Sequence, residues 1–302
     1  MNFSKYILSG FVIFTLSSCE DVIDVEVGEG KIELAVDAFI NNKEEVQKIV
    51  LLNTKQFFSE TGQEVYVADS VYVKDDLNNK YIFEDLNGNG TYEWDDTVLV
   101  HVDRTYSLTI KKGSDLFSSE SVSQAVPTID SINWEYESAG LGADNGGYQV
   151  ELVASDLIGV VNHYQIRWAK NDTFVTGLDA INLSIDGSFS ELGALDGGTF
   201  IPPISTFPAF DAEDSLGLGD IFTYDLLSIE ESTYNFWSAV LNQKVDGGLG
   251  ALFATPTSNV NSNIKSLDSE KTAVGWFSAS MISSYSQLIF DKPGEKLSYS
   301  TN

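Results

Sequence analysis

The sequence predicts a mainly β protein. An amino-terminal β-sandwich, immunoglobulin- or transthyretin-like, is followed by a larger β-rich domain carrying one amphipathic helix. Three observations predict this. Many short stretches alternate polar and apolar residues, the period of a half-buried strand. Gly- and Asn-bearing turns separate them at the spacing of sandwich folds. Only one stretch, from about Ile229 to Val245, has the helical period. The chain has 302 residues, 43% of them hydrophobic, enough for two domains with real cores.

The first 18 residues read as a signal peptide. Lys5 precedes the apolar run Tyr6 to Leu16, which is too short to span a bilayer as a helix. Leu16-Ser17-Ser18-Cys19 resembles the bacterial lipobox, which makes Cys19 the lipidated first residue of the mature chain. The competing reading is an ordinary cleaved signal with a chance cysteine. A lone free thiol is unusual in an exported protein, and Cys19 is the only cysteine. Residues 19–30 form an acidic tether. Glu20 and Asp21, directly after the cysteine, resemble the surface-export signal of Bacteroidetes lipoproteins; the alternative is a plain acidic linker. The expected location is the outer membrane, lipid-anchored and facing the cell exterior.

Residues 31–126 carry the expected sandwich. Strands are predicted over Lys31 to Ile40, Val46 to Leu52, Val65 to Val73, Lys80 to Phe83, Thr97 to Val102, Thr105 to Lys111 and Phe117 to Val122. Pro127 cannot donate to a ladder and marks the boundary. In residues 127–302, strands are predicted over Ser131 to Tyr136, Tyr148 to Ala154 and Asn162 to Ala169, the last two as a paired hairpin. Asp186 to Asp220 reads as a long loop. A strand over Ile221 to Ser228 leads into the helix, where Ser228 and Glu231 have capping-box spacing. Tyr234, Trp237, Leu241 and Val245 share one helix face, and Gly247-Gly248 stops it. Val274 to Ile282 and Gln287 to Phe290 are the expected closing strands.

The formal net charge of -28 repels nucleic acid and anionic headgroups and attracts cations and basic partner surfaces. The sequence offers one candidate for metal chemistry. Asp85, Asn87 and Asn89 stand at positions one, three and five of a calcium loop. Gly90 stands at six, Thr91 can offer its carbonyl at seven, and Asp96 stands at twelve. Against calcium stand strand-like flanks, two neutral amides and an Asp in place of the usual Glu. A β-hairpin built on the Asn-Gly dipeptides is the other reading.

No catalytic constellation is readable. His101 and His163 are far apart, no zinc spacing occurs, and no Gly-x-Ser-x-Gly elbow or phosphate-cradling loop is present. The chain is expected not to be an enzyme. The loop from Asp186 to Asp220 carries Phe200, Phe207 and Phe210. These either form a partner-binding surface or cover the second domain's own core.

Four stretches together carry a family resemblance. They are Cys19 to Asp24, Arg104 to Ile110, Pro127 to Ile132, and the run from Leu252-Phe253 through Asn263-Ile264 to Gly275-Trp276-Phe277-Ser278-Ala279. They resemble the domain-of-unknown-function 4249 family of Bacteroidetes lipoproteins. The resemblance implies an amino-terminal β-sandwich and a larger β-rich second half, and no catalytic residues. Because genes of this family often lie beside TonB-dependent transporters, it implies a non-catalytic accessory subunit of such an outer-membrane complex. The alternatives are a free-standing binding module for glycan, peptide or a metal complex, and a subunit of an assembly or secretion machine.

Overall fold

The computed structural model describes residues 31–55, 64–96, 98–137, 146–207, 216–245, 260–267 and 271–290. The chain is mainly β, as the alternation predicts. The first sandwich is built from β1 (Leu34–Asn41), β2 (Gln47–Asn53), β3 (Ser70–Asp75), β4 (Lys80–Phe83), β5 (Thr91–Trp94), β6 (Thr105–Lys112) and β7 (Asp115–Val122). Then follow β8 (Ile129–Glu137), β9 (Gly147–Ala154), β10 (His163–Lys170), β11 (Thr173–Phe174), β12 (Asn182–Ile185), β13 (Thr206–Phe207) and β14 (Ile221–Ile229). The helix α1 (Glu231–Val245) precedes β15 (Lys265–Ser266) and the long β16 (Ala273–Leu288).

One eight-stranded sheet runs through both halves, in the order β11-β10-β14-β16-β1-β2-β5, with β12 also on β10. The halves read from the sequence therefore share a sheet, and β16 joins them. Its first part pairs in parallel with β1 and its second part antiparallel with β14. Val274 to Ile282 and Gln287 to Phe290, expected as two strands, lie for the most part in this single one. The five-stranded sheet β15-β7-β6-β3-β4 covers the β1 side, and the three-stranded sheet β13-β9-β8 covers the β14 side.

Strand alternation sets the layers. On β16, Phe277 and Ala279 join the first core with Val36, Ile49, Leu51, Val73, Leu108 and Ile110. Farther along, Tyr285 packs on the second core of Val150, Leu152, Tyr164, Ile166, Tyr224 and Leu226. The intervening residues face the other way, towards α1. There Trp276 Nε1 donates to Thr233 Oγ1 at 3.0 Å, its indole stacks on Phe236, and Ile282 packs by Tyr234. Tyr234, Trp237 and Leu241 are half-buried, as the helical stripe predicts; the side chain of Val245 lies outside those described.

Four local expectations are corrected. Tyr148 to Ala154 and Asn162 to Ala169 do not pair. β9 lies between β8 and β13, whereas β10 lies in the large sheet, so residues 155–162 cross between layers. Of the strand expected over Thr97 to Val102, the described residues 98–102 form none. Leu99 and Val100 are both buried, which alternation would not allow, and Tyr106 Oη pins the segment instead by accepting from His101 N at 2.8 Å. Thr91 to Trp94, given no strand range and read only as a strand-like flank of the turn, forms β5. The capping box does not form, because Ser228 remains in β14 with its hydroxyl buried and unpartnered.

Candidate docking site

At the end of the large sheet where β10 begins and β12 and β14 finish, two loops are bonded to each other. Residues 155–162 connect β9 to β10, and residues 186–205 connect β12 to β13. Their contact is continuous. Asp156 N donates to Gly198 O at 2.7 Å, and Gly197 N to Asp156 Oδ2 at 3.0 Å. Gly159 N donates to Asp196 Oδ1 at 2.8 Å, and Asn162 N to Asp186 Oδ1 at 2.6 Å. The Tyr164 hydroxyl, buried in the second core, donates to Asp156 Oδ1 at 2.6 Å. Burial and the adjacent Asp156 carboxylate hold that phenol protonated, far above its ordinary range. With its amide nitrogen turned inward, Asn162 donates to Leu157 O at 3.0 Å and Val160 O at 3.1 Å. Gly197 lies against Ile158 so closely that a Cβ would sit 2.5 Å from Ile158 Cγ1.

Upon this bonded frame six large apolar side chains face outward. Leu192 is 102% exposed, Ile158 84%, Leu195 70%, Val160 66%, Val161 63% and Phe189 60%. A soluble chain rarely gathers so many large apolar side chains at one end unless something else covers them. The hydrogen bonds above hold Asp156, Gly159, Asn162, Gly197 and Gly198, which stand among these residues in the two loops, so the frame that carries the apolar groups is tied together. A partner would need to order few of them, which favours binding.

The electrostatic setting is one-sided. Between Lys112 and Lys244 the sequence contains only two Lys or Arg residues, Arg167 and Lys170. Both are spent within the fold. Arg167 pairs with the buried Asp225 at 3.0 Å and Lys170 with Asp220 at 3.3 Å. On the tip, Glu191 and Asp196 are exposed among the apolar residues, and Glu231 is exposed at the start of α1. His163 lies just beneath, tilted against Tyr234 with ring centres 5.1 Å apart. Burial pushes its pKa down, against the opposing pull of Glu231, Asp186 and Glu191.

Of the two readings of the loop phenylalanines, Phe200 and Phe207 follow the second, covering the domain's own core. Phe200 and Phe207 are buried in the second core. Phe200 N donates to Ala154 O at 3.0 Å, which sets residue 200 beside β9, and its ring packs on Tyr164. Phe207 sits in β13, paired with Val150, with its ring against Tyr224 and Trp168. The expected segment thus contributes to the exposed tip through Phe189, Leu192 and Leu195 instead. Phe210, Cys19, Glu20 and Asp21 lie outside the described residues.

The candidate calcium loop is a turn between β4 and β5. Asp85 Oδ1 accepts from Asn87 N and Asn89 N at 3.2 Å each, and Oδ2 from Gly90 N at 2.9 Å. Desolvation pushes the Asp85 carboxyl up, but these backbone donors outweigh it and hold it below the usual carboxylate range. Asn89 Oδ1 accepts from Thr91 N at 2.9 Å. Asp96 is not brought to this turn. It follows the extended β5, which at roughly 3.3 Å per residue carries it on the order of 15 Å away. Among the described residues, no group of three or more His, Cys, Asp or Glu is placed to hold a metal ion.

With the geometry in place, comparison with known proteins adds one finding. A family described as "Domain of unknown function (DUF4249)" matches residues 20–286. The chain belongs to this family. The DUF4249 match begins directly after Cys19 and ends inside β16, so it takes in the shared sheet, both smaller sheets and the tip. No match to the chain is found among curated proteins.

Proposed function

We propose that this DUF4249 chain is a lipid-anchored subunit at the outer face of the outer membrane, docking without catalysis onto an outer-membrane protein. A TonB-dependent transporter is the first candidate partner. The observation that carries the reading is the exposed apolar tip at 155–162 and 186–201, built on a bonded frame and left uncovered. The lipobox-like Leu16-Ser17-Ser18-Cys19 and the acidic tether support the location. A tether of about ten residues, if fully extended, reaches on the order of 35 Å, enough to bring the folded domain beside a barrel rim.

The test is extraction of the native outer membrane in mild detergents with a tagged full-length chain. A barrel protein should co-elute in stoichiometric amount. A chain that elutes at its own mass in every detergent removes the accessory-subunit reading. Cys19→Ala should leave an unprocessed or soluble product; membrane attachment of that variant with normal processing removes the lipid anchor.

A further inference from the structure

The tip also carries information about the surface it would meet, and this inference rests on the docking reading above. We infer that the partner is a protein surface with an apolar centre rimmed by Lys and Arg, and that Glu191 and Asp196 are the acids that meet the rim.

Three occupants could cover Ile158, Val160, Val161, Phe189, Leu192 and Leu195. Charge decides among them. Membrane-binding tips set Lys or Arg beside their apolar groups, because headgroup phosphates and anionic lipids attract cations. Here residues 171–243 contain no Lys or Arg at all, nor do residues 113–166. The tip also lacks Trp and Tyr at its exposed positions, the side chains that favour the headgroup layer. A second copy would bring its own Glu191, Asp196 and Glu231 against these same acids, and like charges at an interface disfavour the pairing. A basic-rimmed protein surface satisfies both features at once. Its apolar centre buries the six side chains, and its cations find carboxylates that no basic group within the tip neutralises. Asp196 already accepts from Gly159 N through one oxygen, and Glu191 is exposed on the adjacent turn. The rim acids are thus close to the apolar residues they would orient.

The experiment places a photo-crosslinking residue at Leu192 in the full-length lipoprotein in whole cells. A control carries the same residue at Leu218, at the opposite end of β14. The crosslinked partner is identified, purified and titrated against wild type, Leu192→Ser with Leu195→Ser, and Glu191→Lys, each first shown by thermal melting to be folded. Position 192 should crosslink to a protein at a site bearing Lys or Arg, and position 218 should not. The apolar double variant should bind about tenfold more weakly or worse, as central contacts do. Glu191→Lys should also weaken binding about tenfold, chiefly through slower association. Raising salt from 50 to 500 mM should slow wild-type association, and slow that of Glu191→Lys by a smaller factor, because Asp196 and the rest of the acidic chain still steer the encounter. Crosslinks from 192 to lipid, or to a second copy, overturn the inference. So does a Glu191→Lys variant that binds as tightly as wild type. Co-purification of a partner that crosslinks only from 218 would leave the accessory role standing and remove the tip from it.

Discussion

Val36 and Gly275 oppose one another in the parallel ladder of β1 and β16, and a Cβ on Gly275 would lie 1.9 Å from the Val36 carbonyl oxygen. Gly275 also has φ +99, a conformation that side chains disfavour. Both facts demand glycine here. The parallel ladder between the two chain ends closes around this position.

Gly275→Ala is therefore expected to be severe. Left-handed strain costs about 1–2 kcal/mol, and a forced clash with backbone adds about 1–3 kcal/mol. Urea unfolding should show a loss of about 3 kcal/mol or an unfolded product. An unchanged midpoint would mean that β1 and β16 do not approach as described.

Asp225 is fully buried and serves three partners. Its carboxylate accepts from Lys43 Nζ at 2.7 Å, Arg167 Nη2 at 3.0 Å and Ser284 Oγ at 2.6 Å. Lys43 follows β1, while the other two flank Asp225 across β10 and β16, so one carboxylate ties the two halves together. Asp225→Ala leaves two cations half-buried without their counter-charge. Breaking a fully buried pair costs about 3–5 kcal/mol, and partial exposure of both cations brings the expected loss nearer 2 kcal/mol. Chemical denaturation should show this loss, with Asp225→Asn intermediate. A variant as stable as wild type would mean that the cluster contributes no net stability.

Acid should weaken the fold in two stages. His163 has a folded pKa below its ordinary value, so the unfolded chain takes up its proton first. The stability this contributes is present above about pH 6.5 and fades as pH falls through the folded value. Asp75, Asp85 and Asp220 are likewise depressed, and their contribution fades only below about pH 4. His163→Phe keeps the contact with Tyr234 and cannot titrate. Its melting temperature should stay flatter than that of wild type between pH 7.5 and 5.5. Parallel curves would exclude His163 as the source of the first stage.

The turn at Asp85 is expected to hold itself together without an ion. Its carboxylate already meets three backbone donors, and β5 takes Asp96 away. Asp85→Ala should cost about 1–2 kcal/mol in the presence of a chelator, the range for losing a capping carboxylate. Millimolar calcium should leave wild-type melting unchanged. A rise that disappears in Asp85→Ala would instead make the loop a calcium site, since an ion bound only by the folded chain stabilises it by about 1.4 kcal/mol at ten times Kd.

Much of the fold is legible in the sequence because strand alternation is local. β1, β2, β4, β6 and β7 follow their patterns to within three residues, and α1 follows its stripe. Pairing is not local, which is why the Tyr148 and Asn162 segments read as a hairpin and are not one. β5 is legible only as a strand-like flank of the turn, because its ladder is with β2, far earlier in the chain. The candidate site was misread for a related reason. Phenylalanine in a loop looks like a contact residue, yet Phe200 and Phe207 follow backbone bonds to β9 into the core. The exposed apolar residues are instead Ile158, Val160, Val161, Leu192 and Leu195. They are apolar residues among Gly, Asp and Ser that match neither a strand nor a helix period.

The position of β16 has a consequence for how the molecule is made. Among the described residues β1 is the first strand and its parallel neighbour the last, so that ladder spans residues 34 to 280. Until Ala273 to Ser280 arrive, one edge of β1 has no partner and Phe277 and Ala279 are missing from the first core. Pairings this distant in sequence form slowly. A chain threaded amino end first through a membrane would therefore stay open until its last segment had passed, and truncation before Ala273 would leave both β1 and β14 with bare edges prone to aggregation.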